Sequence, residues 1–165
     1  LARFYGASGG GDAFAKVPLP AERRGVLTQA GVLASAAHPV LSSPVMRGKL
    51  VRERLLCDPI GTPPADVNTN IPMMPGQTEE QVFGPYLTQP RCAACHGLMD
   101  PIGAAFGRFD AIGALRASGS TRGKIEPVVA TELPDDVSGE FDGPAALGAK
   151  LAASRQAQQC FAVQT

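Results

Sequence analysis

The sequence predicts a mainly α fold in which short helices are joined by long proline- and glycine-rich connections, with one small β-hairpin. Three observations lead there. Apolar residues recur at helical spacing behind recognisable helix-start signals in several segments. Nineteen glycines and 15 prolines among 165 residues place much of the backbone outside regular structure. Seven Phe, two Tyr and no Trp are few large rings for a core of this length, so something else is expected to help fill it. The length suits one core or two small lobes and excludes several independent domains. Fifteen Lys and Arg balance 15 Asp and Glu, a surface without the field that selects nucleic acid or an anionic membrane.

Gly9-Gly10-Gly11 has no strand before it and no helix directly after it, so residues 1–18 read as a connector rather than a phosphate-cradling loop. Pro20 opens a helix expected to reach about residue 37, with Val26, Leu27, Ala30, Leu33, Ala34 and Ala37 apolar and Pro39 ending it. Ser43-Pro44 is an N-cap followed by proline in the first turn, and opens a helix through about residue 56 that pairs Lys49 with Glu53. Arg47, Arg52 and Arg54 are expected on its polar side, in solvent or toward an anionic group. Five prolines and two glycines over residues 57–76 forbid a continuous helix or central strand and predict an extended strap. Thr78 and Gln81 form a capping box for a helix to about residue 87.

The next segment, Cys92-Ala93-Ala94-Cys95-His96, has the C-x-x-C-H pattern of c-type haem attachment. Two thiols at this spacing match the two vinyl groups of a porphyrin, and the adjacent imidazole reaches the iron as proximal ligand. A zinc knuckle would need a fourth ligand from Cys57, Cys160 or His38, and structural zinc sites usually draw a second ligand pair from elsewhere in the chain. A thioredoxin-like dithiol would follow a buried strand, and residues 88–91 are not one. One covalent haem c is therefore the expected cofactor, and the fold class sharpens to cytochrome-c-like helices around one haem. Covalent haem is attached outside the cytoplasm, so the expected location is the periplasm or the cell surface. In that compartment Cys57 and Cys160 are expected to pair, closing a loop of about 100 residues worth up to ~4.7 kcal/mol. The chain starts at Leu1, has no signal-peptide pattern and no stretch of 18 apolar residues, so an export signal is expected upstream or already removed.

After the motif, residues 97–103 are expected to turn into a short helix at about 104–109. Residues 115–117 and 124–129 are candidates for the hairpin. Asp142-Gly143-Pro144 starts a helix to about residue 153, and Ser154 caps a last one to about residue 162. The resulting organisation is a helical segment over 1–56, the strap over 57–76, and a haem-binding lobe with C-terminal helices over 77–165.

Residues 24–30, 43–49, Cys92–His96 with Leu98-Met99-Asp100-Pro101-Ile102-Gly103, and Phe109-Asp110-Ala111-Ile112-Gly113 resemble the planctomycete cytochrome c domain proteins, which are exported and also occur in myxobacteria. Phe141-Asp142-Gly143 and residues 160–164 resemble the small module that follows in those chains, and residues 1–6 the tail of the module that precedes. The resemblance implies the C-terminal part of a longer exported protein, with further modules upstream, and a haem without a settled activity.

The sixth iron ligand stays open. Met99 lies three residues after His96, about 10 Å of extended chain, and is expected to pack beside the ring more than to ligate it. His38, expected at a helix end, Met73 and Met74 in the strap, and Met46 are the other candidates. Two strong ligands suit electron transfer with a redox partner protein or a larger complex. An open site suits a haem peroxidase or oxygenase, although no distal acid–base pair is recognisable. A third reading is a haem-stabilised interaction module. Electron carrier is the reading the residues favour over catalyst.

Overall fold

The computed structural model describes residues 1–8, 11, 13–69, 72, 74, 76–127 and 135–164. Its centre is a crossing of two helices, α3 (Pro44–Leu50) and α5 (Pro90–Ala104). Before them come α1 (Ala2–Tyr5), a 3₁₀ turn (Val26–Thr28) and α2 (Ala30–Ser35); between them lies α4 (Glu79–Thr88). Strands β1 (Arg122–Ile125) and β2 (Gly139–Asp142) and helices α6 (Gly143–Ala153) and α7 (Arg155–Gln164) complete the chain.

Several helix starts follow directly from their caps. The Ser43 hydroxyl accepts from the Met46 amide at 3.1 Å. Thr78 and Gln81 form the reciprocal box, at 3.2 and 2.9 Å. Ser154 accepts from the Ala157 amide at 3.0 Å, and Pro144 stands in the first turn of α6. After Leu50 the α3 helix widens into a π turn, Val51–Leu55, closed by the Leu56 amide on the Val51 carbonyl at 3.1 Å.

The α3–α5 crossing depends on two glycines. A Cβ at Gly48 would overlap the Met99 backbone, and one at Gly103 would overlap the Pro44 backbone. Without side chains at these points the two backbones touch, which fixes the position of α5 on α3.

The main core is aliphatic and aromatic. Ile102, Ala105, Phe106 and Phe109 from the end of α5 and beyond meet Leu27, Leu33, Val51, Leu56, Ile125, Val137, Phe141, Leu147 and Leu151. Each large side chain fully buried there contributes ~1.5–3 kcal/mol.

Four expectations about elements are corrected. The helix expected over 20–37 is a 3₁₀ turn and the six-residue α2, because Gly25 takes φ 76° and Gln29 is extended. His38 therefore sits beyond the helix, in a tight loop where Ala37 bridges Ser42 and the His38 amide donates to the Leu41 carbonyl at 2.9 Å. The turn expected at 97–103 is continuous helix, and the helix expected at 104–109 is turn from residue 105. The hairpin pairs β1 with β2, Arg122 opposite Asp142 and Ile125 opposite Gly139, while Leu115 bridges only Phe109. Residues 128 and 129 of the expected strand lie outside the described residues, as do Gly9, Gly10 and Met73.

The arginines are the fourth correction. Arg47 and Arg52 are 3% and 1% exposed. Arg47 donates to the carbonyls of Phe106, Phe109 and Asp110 at 3.2, 2.8 and 2.5 Å, holding the turn that follows α5. Burial pushes its pKa down to about 10, against the raising effect of Glu79. Arg52 pairs with Asp58 and donates to the carbonyls of Leu98 and Glu126. Lys49 and Glu53 pair at 3.7 Å on the outer side of the same helix. Cys57 and Cys160 are joined by a disulfide that fastens the start of the strap to α7. No helix among the described residues is long and apolar enough to cross a membrane.

Candidate functional site

Cys92, Cys95 and His96 lie in the first half of α5, whose second half enters the core. Gln89 is extended and Pro90 occupies the first turn, so the helix begins just before the motif. Three residues apart on a helix, the two cysteines share a face. Both are half-buried, unbonded thiols, and they line one cavity together with His96.

Three elements supply the other walls of that cavity. The strap passes over it with Ile60, Gly61, Pro63, Pro64 and Val67, α4 contributes Phe83 and Tyr86, and α3 contributes Val45 and Met46. Asp66 of the strap pairs with Arg91 at the start of α5, an exposed contact between strap and motif helix. The cavity lining and the core cluster share no residue.

His96 is held on two sides. Its Nδ1 lies 2.9 Å from Oδ2 of Asp100, one helical turn further along α5. An ionised carboxylate only accepts, so Nδ1 donates in this pair, and in the neutral imidazole that tautomer leaves the lone pair on Nε2. The Tyr86 ring stacks on the imidazole with centroids 5.2 Å apart and planes 17° from parallel. Phe83, one turn earlier on α4, stacks in the same way on His38, at 5.9 Å and 16°.

The structure brings three of the expected sixth-ligand candidates to this cavity. His38, Met46 and Met99 all line it. Met46 is half-buried at the cavity wall rather than in the core, and Met99 is 6% exposed. Met74 is 62% exposed and lines a neighbouring groove with Val40, Leu41 and Leu87. Met73 lies outside the described residues.

These residues fit a covalently held haem. Two free thiols at the attachment spacing, an adjacent imidazole whose outer nitrogen is engaged, and further nitrogen and thioether donors line the same largely apolar cavity. The zinc alternative loses two of its three fourth ligands, because Cys57 and Cys160 are bonded to each other. Among the described residues no group of three or more His, Cys, Asp or Glu is placed to hold a metal ion as a cage.

Asp100 has no assigned role in the sequence reading. The signal was present as an i,i+4 spacing from His96. It was hidden by the expectation of a turn over 97–103, which removes the shared helical face. Tyr86 was missed for a different reason, since a stacking partner on another helix has no local signature.

The family model PSCyt3, described as a protein of unknown function (DUF1588), matches residues 23–119, more than half of the chain. The match spans α2 to α5 and therefore both the motif and most of the cavity wall. No curated protein and no solved structure matches the chain.

Proposed function

The chain belongs to the PSCyt3 family, the planctomycete cytochrome c group that its motifs resemble, and on that premise we propose that it is a mono-haem c-type cytochrome module carrying electrons by outer-sphere transfer within an exported protein or complex. The observation that carries this reading is the cavity wall shared by Cys92, Cys95, His96 and three further soft or imidazole donors. Bound there, the haem supplies a one-electron iron couple.

The chain's own residues do the rest. Cys92 and Cys95 provide the two thioether sulfurs. His96 presents Nε2 because Asp100 engages Nδ1. Phe83, Tyr86 and the strap prolines wall the cavity and would shield a bound haem from water, lowering the local dielectric and the reorganisation that accompanies a charge change. His38, Met46 and Met99 line the same cavity and would be the candidates for a further iron ligand. The disulfide between Cys57 and Cys160 suits the oxidising compartment that haem attachment requires, and supports a periplasmic or cell-surface location. With charges balanced at zero net, long-range steering of a redox partner is weak. The electron-transfer contact is then apolar or permanent, with upstream modules of the same precursor or a separate protein as partner.

The test is expression in a periplasm with haem-attachment machinery, followed by intact mass and optical spectra in two redox states. One haem lost jointly with Cys92→Ser and Cys95→Ser, and reduced bands insensitive to carbon monoxide, support the carrier. A folded chain that keeps two free thiols under those conditions would sink the haem reading. Carbon monoxide binding to the reduced iron would replace electron carriage with an open-site peroxidase or oxygenase.

A further inference from the structure

We infer that Asp100 is the positioning residue of His96 and biases the bound iron toward its ferric state, through a carboxylate where a neutral carbonyl would otherwise suffice. The inference rests on the haem reading above and deepens it. Its basis is geometric. Asp100 Oδ2 lies 2.9 Å from His96 Nδ1, and the two side chains are only 7% and 16% exposed. Both belong to one continuous helix, so the i,i+4 register fixes their separation without an intervening loop. Tyr86 stacked on the imidazole limits rotation of the ring away from that bond.

The state of the other carboxylate oxygen strengthens the case. Asp100 Oδ1 is buried and has no hydrogen-bond partner among the described residues. The His96 N–H is thus the one hydrogen bond the described residues give this carboxylate. In a site shielded from water, a charge with a single donor polarises that donor strongly. A polarised Nδ1–H makes Nε2 a better electron donor, and an anionic partner two bonds beyond the ring favours the more positive oxidation state of the metal.

Three further residues shape the helix around this pair. Helix α5 runs through Pro101 although proline removes an amide from the ladder. Gly103 on α5 and Gly48 on α3 let that stretch lie directly against the facing backbone.

The experiment compares holoprotein carrying Asp100, Asp100→Asn, Asp100→Ala and Asp100→Glu, by intact mass, midpoint potential and ferric electron paramagnetic resonance. Asn keeps the size and an accepting oxygen but removes the charge, and Glu keeps the charge. The expected result is covalent haem in all four. In Asn and Ala the reduction equilibrium moves at least tenfold toward ferrous, ~59 mV upward for one electron, with an altered ferric resonance; Glu stays nearer the wild type. Haem attached with the same potential and resonance in Asn and Ala would overturn the inference, as would a loss of thermal stability with no change in potential. If Asn and Ala fail to accumulate, a Glu variant whose potential matches wild type supports the charge, and one shifted as far as tenfold counts against it. Absence of haem from the wild-type chain is a separate outcome that overturns the functional reading itself.

Discussion

Arg52 and Asp58 form an ion pair inside the protein, their side chains 1% and 7% exposed. The guanidinium also donates to the Leu98 carbonyl of α5 at 2.9 Å and to the Glu126 carbonyl beyond β1 at 2.8 Å. One side chain on the π turn therefore ties together the start of the strap, the helix bearing the thiols and the end of a strand. Three partners, 6, 46 and 74 residues further along the chain, are held at a single planar fork.

Removing that fork strands a buried carboxylate and two carbonyls. Arg52→Ala is expected to cost ~3–5 kcal/mol, the usual penalty for breaking a buried pair from one side. Arg52→Lys should recover little, because an ammonium cannot reach three acceptors in fixed planar directions. Urea denaturation followed by circular dichroism measures both, and an Arg52→Ala midpoint equal to wild type would refute the account.

The α3–α5 crossing makes an opposed pair of glycine predictions. A methyl at Gly48 meets the Met99 backbone, whereas one at Gly97 meets nothing within 4 Å. Gly48→Ala should destabilise by at least ~1–3 kcal/mol through overpacking. Gly97→Ala, in the same helix as the motif, should stabilise by ~0.5–1 kcal/mol through helix propensity. Thermal melts of the two variants side by side decide it.

The disulfide closes a loop of 103 residues. In the chain-entropy model a closure of this size is worth up to ~4.7 kcal/mol. The double variant Cys57→Ser/Cys160→Ser should unfold at clearly lower urea, and dithiothreitol should reproduce the loss in the wild type. Gln156, buried and donating to the Leu56 carbonyl at 3.0 Å, leaves α7 docked in the variant, so native helicity should persist without denaturant.

Acid should loosen the α6–α7 joint first. Partial desolvation acts to raise the Asp136 pKa, but hydrogen bonds from the Ser154 hydroxyl and the Arg155 and Gln156 amides together hold it below its ordinary value. A carboxylate with a depressed folded pKa stabilises the fold above its unfolded value of about 4 and ceases to as pH falls through the folded value. Amide exchange in α7 should therefore accelerate below about pH 4, and Asp136→Asn should remove that pH dependence while weakening α7 at neutral pH. An α7 whose protection is flat across that range would contradict this.

The sixth-ligand candidates also separate. Met74 lies on a different groove from the thiols, so Met74→Leu should leave the optical spectrum of the haem-loaded chain unchanged. Among His38→Ala, Met46→Leu and Met99→Leu, at least one should alter it. A spectral change from Met74→Leu alone would exclude all three cavity residues.

Local chemistry was readable wherever a cap and its helix are neighbours in sequence. Ser43, the Thr78–Gln81 box and Ser154 act where their spacing places them, because a cap interacts within one turn. The turn expected over 97–103 failed for the converse reason: α5 runs on through this stretch with its backbone against that of α3 at Gly48 and Gly103, contacts between segments far apart in sequence. The buried arginines were read as a polar face, since periodicity reports side-chain polarity and not acceptors lying 46 to 74 residues away.

By itself, the sequence determined the C-x-x-C-H spacing of two thiols and an imidazole and most of the helix starts, which follow from residue type and short spacing, and left Cys57 and Cys160 as the remaining pair. The tertiary structure alone decided that β2 pairs with β1, and that His38, Met46 and Met99 meet at one cavity while Met74 does not. These last features depend on backbone contacts between distant segments, whose free energy comes from burial and close packing and leaves no mark in any short window of the chain.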